Sequence, residues 1–190
     1  MHTQFKHLLF AAGIACFTLT AQAQPRTLQA KKTIQMVNPL MKPSTLPYNA
    51  PDFSKIKGDY YLPAIQAAIA AQRQEIKKIT DNKQKPTFAN TILAYERSGQ
   101  MLNRVTGIFN CVTEADKTPD LEKAEAAVIP MMTNFENEIK FNQKFFQRIK
   151  YVYDHELNQL KGEDKKLLEE VYKSFRSEER RVGKECLRLC

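Results

Sequence analysis

Apolar residues recur at alternating spacings of three and four from about residue 61 onward, and this period restricts the fold more than any other feature. The first such stripe runs through Tyr61, Leu62, Ile65, Ile69, Gln72, Ile76 and Ile79. Residues at these spacings share one face of an α-helix, whereas a half-buried strand would alternate at every second residue. No segment shows a competing strand pattern, so the sequence predicts an all-α fold.

Polar and proline residues mark where the next helices begin. Thr87 is a typical N-cap for a second helix, whose apolar stripe runs to Val112. Gly99 falls on or near that stripe, and a glycine there permits close approach of another backbone. Thr118, followed by Pro119, is a strong start for a third helix because a cap and an N1 proline coincide.

The third helix contains Pro130, which predicts a kink near Ile129. Asn142 is predicted to open a fourth helix, and the stripe that ends at Phe175 marks a fifth. The first three helices are each about 20 residues or longer, so each spans about 30 Å. Several have apolar faces broader than a narrow stripe, which is typical of a piece of a larger protein.

Ahead of the helices lies a proline-rich segment, with Pro at positions 39, 43, 47 and 51. Proline removes backbone donors and disfavours the helical conformation of the residue before it, so this segment is predicted to be extended. Its apolar residues suggest that it lies along a packed surface; they are Leu40, Leu46, Tyr48 and Phe53. Disorder is the alternative.

The N-terminus has the order of a secretory signal peptide: a short basic start, an apolar run and a small-x-small site. Residues 1–23 are predicted to be removed before Gln24, which implies export to the periplasm, and 24–37 form a flexible leader. A membrane anchor is disfavoured because the apolar run is short. Lipid attachment at Cys16 is a minor alternative, since Gly13 stands where lipoprotein signals usually carry leucine.

The C-terminal residues 176–190 show no apolar periodicity and begin abruptly after a well-patterned helix. Eleven consecutive residues resemble the in-frame translation of a common DNA-sequencing adapter, so we interpret this stretch as artefactual; a natural basic tail is the alternative. Without both ends, 24–175 carry 23 Lys/Arg and 18 Asp/Glu, a net charge of +5. Their only cysteine is Cys111, expected as a small buried apolar residue.

One string resembles a catalytic motif: His155-Glu156-Leu157-Asn158-Gln159. Zinc proteases of the His-Glu-x-x-His type need a second histidine one helical turn on, so that both imidazoles bind one metal. That position holds Gln159, and no other histidine occurs in 24–175 to replace it. His155 is therefore predicted to be a surface helix residue.

Other catalytic and binding patterns are missing from the sequence. There is no Gly-x-Ser-x-Gly string, no phosphate-binding glycine loop and no Cys/His ligand spacing. The basic pairs at 77–78 and 165–166 stand beside acidic residues, which favours solvated helix faces over nucleic-acid contacts. The carboxylates of Glu169 and Glu170 point apart on a helix. We therefore predict no catalytic, cofactor-binding or metal-binding residue in the chain.

Several strings of residues nevertheless match a known family. They are Asn38-Pro39-Leu40, Leu46-Pro47-Tyr48, Ala50-Pro51-Asp52-Phe53, Asp59-Tyr60-Tyr61-Leu62-Pro63-Ala64, Pro86-Thr87-Phe88-Ala89-Asn90-Thr91-Ile92 and Glu96-Arg97-Ser98-Gly99. With weaker echoes later, the match covers 38–175. This region resembles the N-terminal part of the thimet-oligopeptidase superfamily of zinc metallopeptidases, and most closely its peptidyl-dipeptidase Dcp branch.

The resemblance implies a longer enzyme that is helical throughout, with a deep channel between two lobes. It implies a zinc site and a third-ligand glutamate far downstream, short peptides as substrates, release of C-terminal dipeptides and a monomeric protein. Residues 38–175 would be the N-terminal, non-catalytic lobe that helps to wall the channel, and no family ligand falls on them. A stand-alone exported helical binding module is the alternative.

Overall fold

A computed structural model describes residues 38–189, with side chains described up to residue 177. The predicted signal peptide and leader lie outside these residues. The α-helices are α1 (Tyr61–Thr80), α2 (Ala94–Glu96), α3 (Gln100–Ala115), α4 (Pro119–Lys140), α5 (Gln143–Glu156) and α6 (Gly162–Leu189). A π-helical segment, Phe88–Leu93, leads directly into α2. Since the described residues include no strand, the all-α prediction is confirmed.

Helix α1 lies at the centre of the core, packed against α3 and α4. Five residues of its predicted stripe are buried, whereas Leu62 and Gln72 are half-buried. The ring of Tyr61 contacts that of Phe109 on α3, with centroids 5.2 Å apart. Each fully buried isoleucine or phenylalanine stabilises the fold by about 1.5–3 kcal/mol through lost contact with water. The apolar stripe read from the sequence thus becomes the main packing face of the protein.

All three predicted N-caps are confirmed. Thr87 and Asn90 form a reciprocal capping box, in which each backbone N–H donates to the other side chain, at 2.9 and 3.2 Å. The Thr118 hydroxyl accepts from the backbone N–H three residues later, at 3.4 Å. The Asn142 side chain accepts from the N–H of Phe145 at 3.0 Å. These bonds satisfy N–H groups that have no partner inside the helices.

The predicted second helix is interrupted at Gly99, and this part of the prediction was wrong. Gly99 has φ +71°, in the left-handed region, and stands between α2 and α3. Its N–H donates to Glu75 on α1, at 2.7 Å. A β-carbon at this position would come within 2.4 Å of the Gln72 side chain, so the close approach involves a side chain, not a backbone. The apolar spacing continues across the break, which is why periodicity alone did not show it.

Gly99→Ala is expected to lower the free energy of unfolding by about 1–2 kcal/mol. The left-handed conformation is sterically unfavourable for alanine, and its β-carbon must displace the Gln72 side chain. Gly107→Ala is the matched control. No atom lies within 4 Å of a β-carbon placed there, in the interior of α3. The control should raise stability by about 0.5–1 kcal/mol. Urea unfolding followed by circular dichroism measures both, and equal effects of the same sign would contradict the assignment.

Later helices differ from the prediction mainly at their ends. Helix α4 continues through Pro130, which therefore does not end it. Helix α5 begins after Asn142, as predicted, and ends at Glu156, where residues 157–159 form a turn. Helix α6 continues past Phe175 to Leu189, so the backbone is helical through most of the stretch interpreted as artefactual. No helix of the described residues combines the length and hydrophobicity needed to cross a membrane.

Residues 38–60, called the strap below, contain four three-residue 3₁₀ turns: Pro39–Met41, Pro47–Asn49, Phe53–Lys55 and Gly58–Tyr60. The Asn38 amide donates to the carbonyl of Tyr60 at 2.8 Å and closes the base of the strap. Arg104 of α3 donates to the carbonyl of Leu40 at 3.2 Å, and Leu40 is buried. The start of the strap is therefore fixed to the helices.

The prediction that the apolar strap residues all lie on a packed surface was right for Leu40 and wrong for the other three. Leu46, Tyr48 and Phe53 are exposed. They follow the part of the strap whose Leu40 carbonyl accepts a hydrogen bond from Arg104 of α3. The tip of the strap therefore presents apolar side chains to solvent.

Candidate functional site

His155, the histidine of the motif-like string, lies on the surface at the end of α5. Its Nδ1 is 2.8 Å from the carbonyl oxygen of Tyr151, and its ring stacks on the Tyr151 ring with centroids 4.0 Å apart. The amide of Gln159 donates to the backbone carbonyl of His155 at 2.9 Å, not to any shared ligand. The prediction of a surface helix residue is confirmed.

Glu156, which a zinc protease would use as its general base, has a structural contact. Its Oε2 accepts from the backbone N–H of Phe88 at 2.8 Å. That N–H is the first of the π-helical segment, where a negative charge is stabilised by the helix terminus. Glu156 thus ties the end of α5 to the start of another helical segment.

Among residues 38–189, as far as their side chains are described, no three or more His, Cys, Asp or Glu residues form a group that could hold a metal ion. The zinc implied by the family resemblance therefore finds no fitting ligand set in this part of the chain. Cys111, expected to be buried, is exposed instead, on the outer face of α3. That expectation was wrong because an isolated cysteine shows no periodicity of its own.

A cleft of about 560 Å³ lies between α1 and α4 and is called the α1–α4 groove. Its lining residues are Gln66, Ile69, Arg73, Ala127, Pro130, Met131, Asn134, Phe135 and Glu138. Ile69 and Phe135 are buried and form an apolar floor, whereas Gln66 and Asn134 are exposed. Pro130 has no N–H to bond the carbonyl of Ala126, so that acceptor is left without its helical partner.

An ion pair crosses the groove between the two helices. Arg73 of α1 donates to both carboxylate oxygens of Glu138 on α4, at 2.8 and 2.7 Å, and its guanidinium lies 5.4 Å from the centroid of the Phe135 ring. The hydrogen bond from Arg73 holds the pKa of Glu138 below its ordinary value. Both side chains are about half exposed, so water screens the pair and its contribution to stability is small. Its main effect is to fix the spacing of α1 and α4.

Arg148 on α5 is a buried charged residue that the sequence analysis missed. It is 8% exposed, and its guanidinium donates to the carbonyls of Asn82 and Gln84 and to the side chains of Asn90 and Thr91. No carboxylate takes part in these bonds, and burial lowers the pKa of Arg148. A possible signal was its place, three residues after Phe145, on the apolar side of the helix. The residue holds the loop after α1 against α5 and is a structural element.

The predicted solvated faces are present at both basic pairs. Lys77 forms an ion pair with Asp81, and Lys166 lies 3.8 Å from Glu170, in each case one helical turn away. Such pairs neutralise the positive charge locally, which disfavours a phosphate-binding surface at these positions. The α1–α4 groove, with its apolar floor and exposed amides, is therefore taken as the candidate site.

Comparison with known proteins indicates the family to which the chain is related. No protein-family model matches the chain. A dipeptidyl carboxypeptidase of Salmonella typhimurium is 35% identical over 140 residues, which is 73% of this chain and 20% of that protein. A dipeptidyl carboxypeptidase of Escherichia coli is 36% identical over 140 residues, 73% of this chain and 21% of that protein. This chain is related to the dipeptidyl carboxypeptidases. It spans about a fifth of the length of these two relatives, and the resemblance predicted from its sequence is confirmed.

Proposed function

We propose that this chain is the non-catalytic helical wall of a longer zinc peptidyl-dipeptidase, an enzyme that releases dipeptides from the C-terminus of short peptides. The observation that carries the proposal is the identity of 35–36% to two dipeptidyl carboxypeptidases over 140 residues. Two further observations support it: the chain matches only about a fifth of those proteins, and its one motif-like string is engaged in structural contacts. Zinc and its ligands belong to the remainder of the longer enzyme.

The wall is proposed to exclude folded proteins from the channel and to orient the peptide substrate. Rigid helices admit an extended peptide and keep its scissile bond near the catalytic group, which lowers the entropic part of the barrier. We assign the α1–α4 groove to the substrate side of the wall. Its apolar floor suits peptide side chains, and the amides of Gln66 and Asn134 suit a peptide backbone, which carries both donors and acceptors. Peptide substrates are therefore proposed to lie along α1 and α4.

We also propose export to the periplasm, on the basis of the signal-like sequence of residues 1–23. Expression of the full chain in a Gram-negative host is expected to yield a periplasmic product whose N-terminal residue is Gln24. Intact mass and N-terminal sequencing check this. A cytoplasmic product that retains Met1 would contradict export, and a lipid-modified Cys16 would replace cleavage at Gln24 with anchoring.

A chimera tests the proposed function. Residues 38–175 replace the matched segment of the Escherichia coli dipeptidyl carboxypeptidase, and dipeptide release from a short peptide is measured by mass spectrometry. We expect zinc-dependent activity in the chimera and none in the 190-residue chain alone. A folded, zinc-loaded chimera without activity would overturn the proposal, as would chelator-sensitive peptidase activity of the chain alone.

The same chimera tests the groove. Gln66→Ala with Asn134→Ala is expected to raise KM several-fold and to leave kcat nearly unchanged, because these amides bind ground and transition states alike. Lys166→Ala, which changes an exposed residue on α6, is the matched control and should alter neither constant. An unchanged KM in the double variant would remove the groove from the substrate path.

A further inference from the structure

We propose that three exposed apolar residues of the strap form the surface on which the catalytic part of the longer enzyme docks. They are Leu46, Tyr48 and Phe53, and they are called the strap ridge below. The inference rests on the proposed function. It adds the contact that joins the wall to the rest of the enzyme.

Exposure is the first argument for the strap ridge. Its members are 43%, 102% and 54% exposed, and they lie within eight residues of one another. They account for three of the five large apolar side chains that are exposed among the described residues; the others, Ile129 and Phe141, stand singly on or just after α4. Single exposed apolar residues are ordinary on protein surfaces, whereas a concentration of them marks a contact site.

Backbone geometry supplies the second argument, because hydrogen bonds within the turn fix the backbone that carries Tyr48. Tyr48 and Asn49 both adopt left-handed conformations, with φ of 58° and 57°. The N–H of Asn49 donates to the carbonyl of Leu46 at 3.0 Å, and that of Ala50 to the carbonyl of Pro47 at 3.2 Å. Asparagine adopts this conformation readily, whereas for a tyrosine it is costly, and strained residues cluster at functional sites. The turn presents Tyr48 fully to solvent in a preorganised geometry, which reduces the entropy lost on docking.

The size and chemistry of the ridge indicate its occupant. Aromatic residues are enriched at protein interfaces, and the ridge offers two aromatic rings beside a leucine. Three side chains fall well short of the roughly 800 Å² that each partner of a stable dimer buries, so a second copy of this chain is disfavoured. The two relatives are about five times as long as the matched segment, and their remaining length must contact it somewhere. The ridge therefore fits an apolar surface of that remaining part.

Hydroxyl-radical footprinting of single residues by mass spectrometry tests the inference. The oxidation rates of Tyr48 and Phe53 are measured in the full 190-residue chain and in the chimera described above. We expect both rates to fall several-fold in the chimera, while Tyr61, which is 2% exposed, stays unreactive in both proteins and reports that the helices are folded. Equal reactivity of the ridge in the two proteins would overturn the inference. Protection in the chain alone that grows with concentration would do so too, because it assigns the ridge to a second copy.

Variants of the chimera provide the second readout. Tyr48→Ser with Phe53→Ser should speed limited proteolysis between the wall and the catalytic part several-fold. Ile129→Ser with Phe141→Ser is the matched control, since it removes the two exposed apolar side chains that lie off the strap, and it should leave cleavage unchanged. Equal acceleration in both double variants would overturn the inference. An inactive chimera with a protected ridge would refute the proposed function and leave docking intact, whereas an active chimera with an unprotected ridge would refute docking alone.

Discussion

Replacing Arg148 with methionine is expected to lower the free energy of unfolding by about 3 kcal/mol. The guanidinium donates to the carbonyls of Asn82 and Gln84, at 2.7 and 3.3 Å, and to the side-chain oxygens of Asn90 and Thr91, at 3.0 and 3.3 Å. Methionine fills much of the same volume but donates nothing. An acceptor left unsatisfied away from water costs about 1–3 kcal/mol. Thr91 is buried and Asn82 and Asn90 are half-buried, so the loss of the guanidinium affects more than one shielded acceptor.

Urea unfolding of the full chain, followed by circular dichroism, measures the effect. Arg97→Met is the matched control, because Arg97 is exposed, and its loss should change stability by less than about 0.5 kcal/mol. The loss of stability in Arg148→Lys should fall between those of the other two variants, since one ammonium group cannot replace a planar guanidinium that reaches separate acceptors. A loss below about 1 kcal/mol for Arg148→Met would mean that water replaces the guanidinium, and the structural role assigned to Arg148 would be wrong.

The helices and their beginnings were predictable because they depend on local chemistry. The stripe of α1 follows from a 3.6-residue period, and the caps at Thr87, Thr118 and Asn142 follow from side chains that reach N–H groups two or three residues on. The absence of a strand pattern was equally local. Each of these features can be read from a window of fewer than 20 residues.

What could not be predicted depends on contacts between distant parts of the chain. Gly99 breaks a helix in a left-handed conformation, and its N–H donates to Glu75, 24 residues earlier. Arg148 is buried because a loop 64–66 residues earlier turns its carbonyls toward it. Leu40 is buried where Arg104, 64 residues later, bonds its carbonyl, whereas Tyr48, eight residues after Leu40, is exposed. None of these pairs leaves a pattern at a fixed spacing.

The candidate site also combines features that the sequence predicts with features that only the structure shows. That the string beginning at His155 lacks a second histidine is plain from the sequence. The bond that engages Glu156 joins residues 68 positions apart and becomes visible only in three dimensions. The α1–α4 groove arises from the relative placement of two helices whose exposed residues look like ordinary solvated faces. Its two amides, Gln66 and Asn134, carried no signal that distinguished them from other polar surface residues.

Phe145→Ala should give the second large loss of stability, about 3–5 kcal/mol. Phe145 is fully buried at the junction of three helical elements, where its ring meets those of Tyr95 and Phe175 edge-on, with centroids 5.1 and 5.2 Å apart. The two partner rings also contact each other, at 5.9 Å. Truncation therefore removes two aromatic contacts and leaves a cavity that rigid neighbouring helices cannot close.

The neighbouring residue Phe141 gives the matched control, because it is the same amino acid four positions earlier and is 38% exposed. Phe141→Ala should cost less than about 1 kcal/mol, since it opens no cavity. For a chain of this length each kcal/mol lowers the melting temperature by about 2–4 °C, so the two variants should differ by about 10 °C. Similar melting temperatures for both would mean that α6 does not pack on α5 through Phe175. The cluster joins α6 to the rest of the core, so such a result would also detach this helix from the proposed wall.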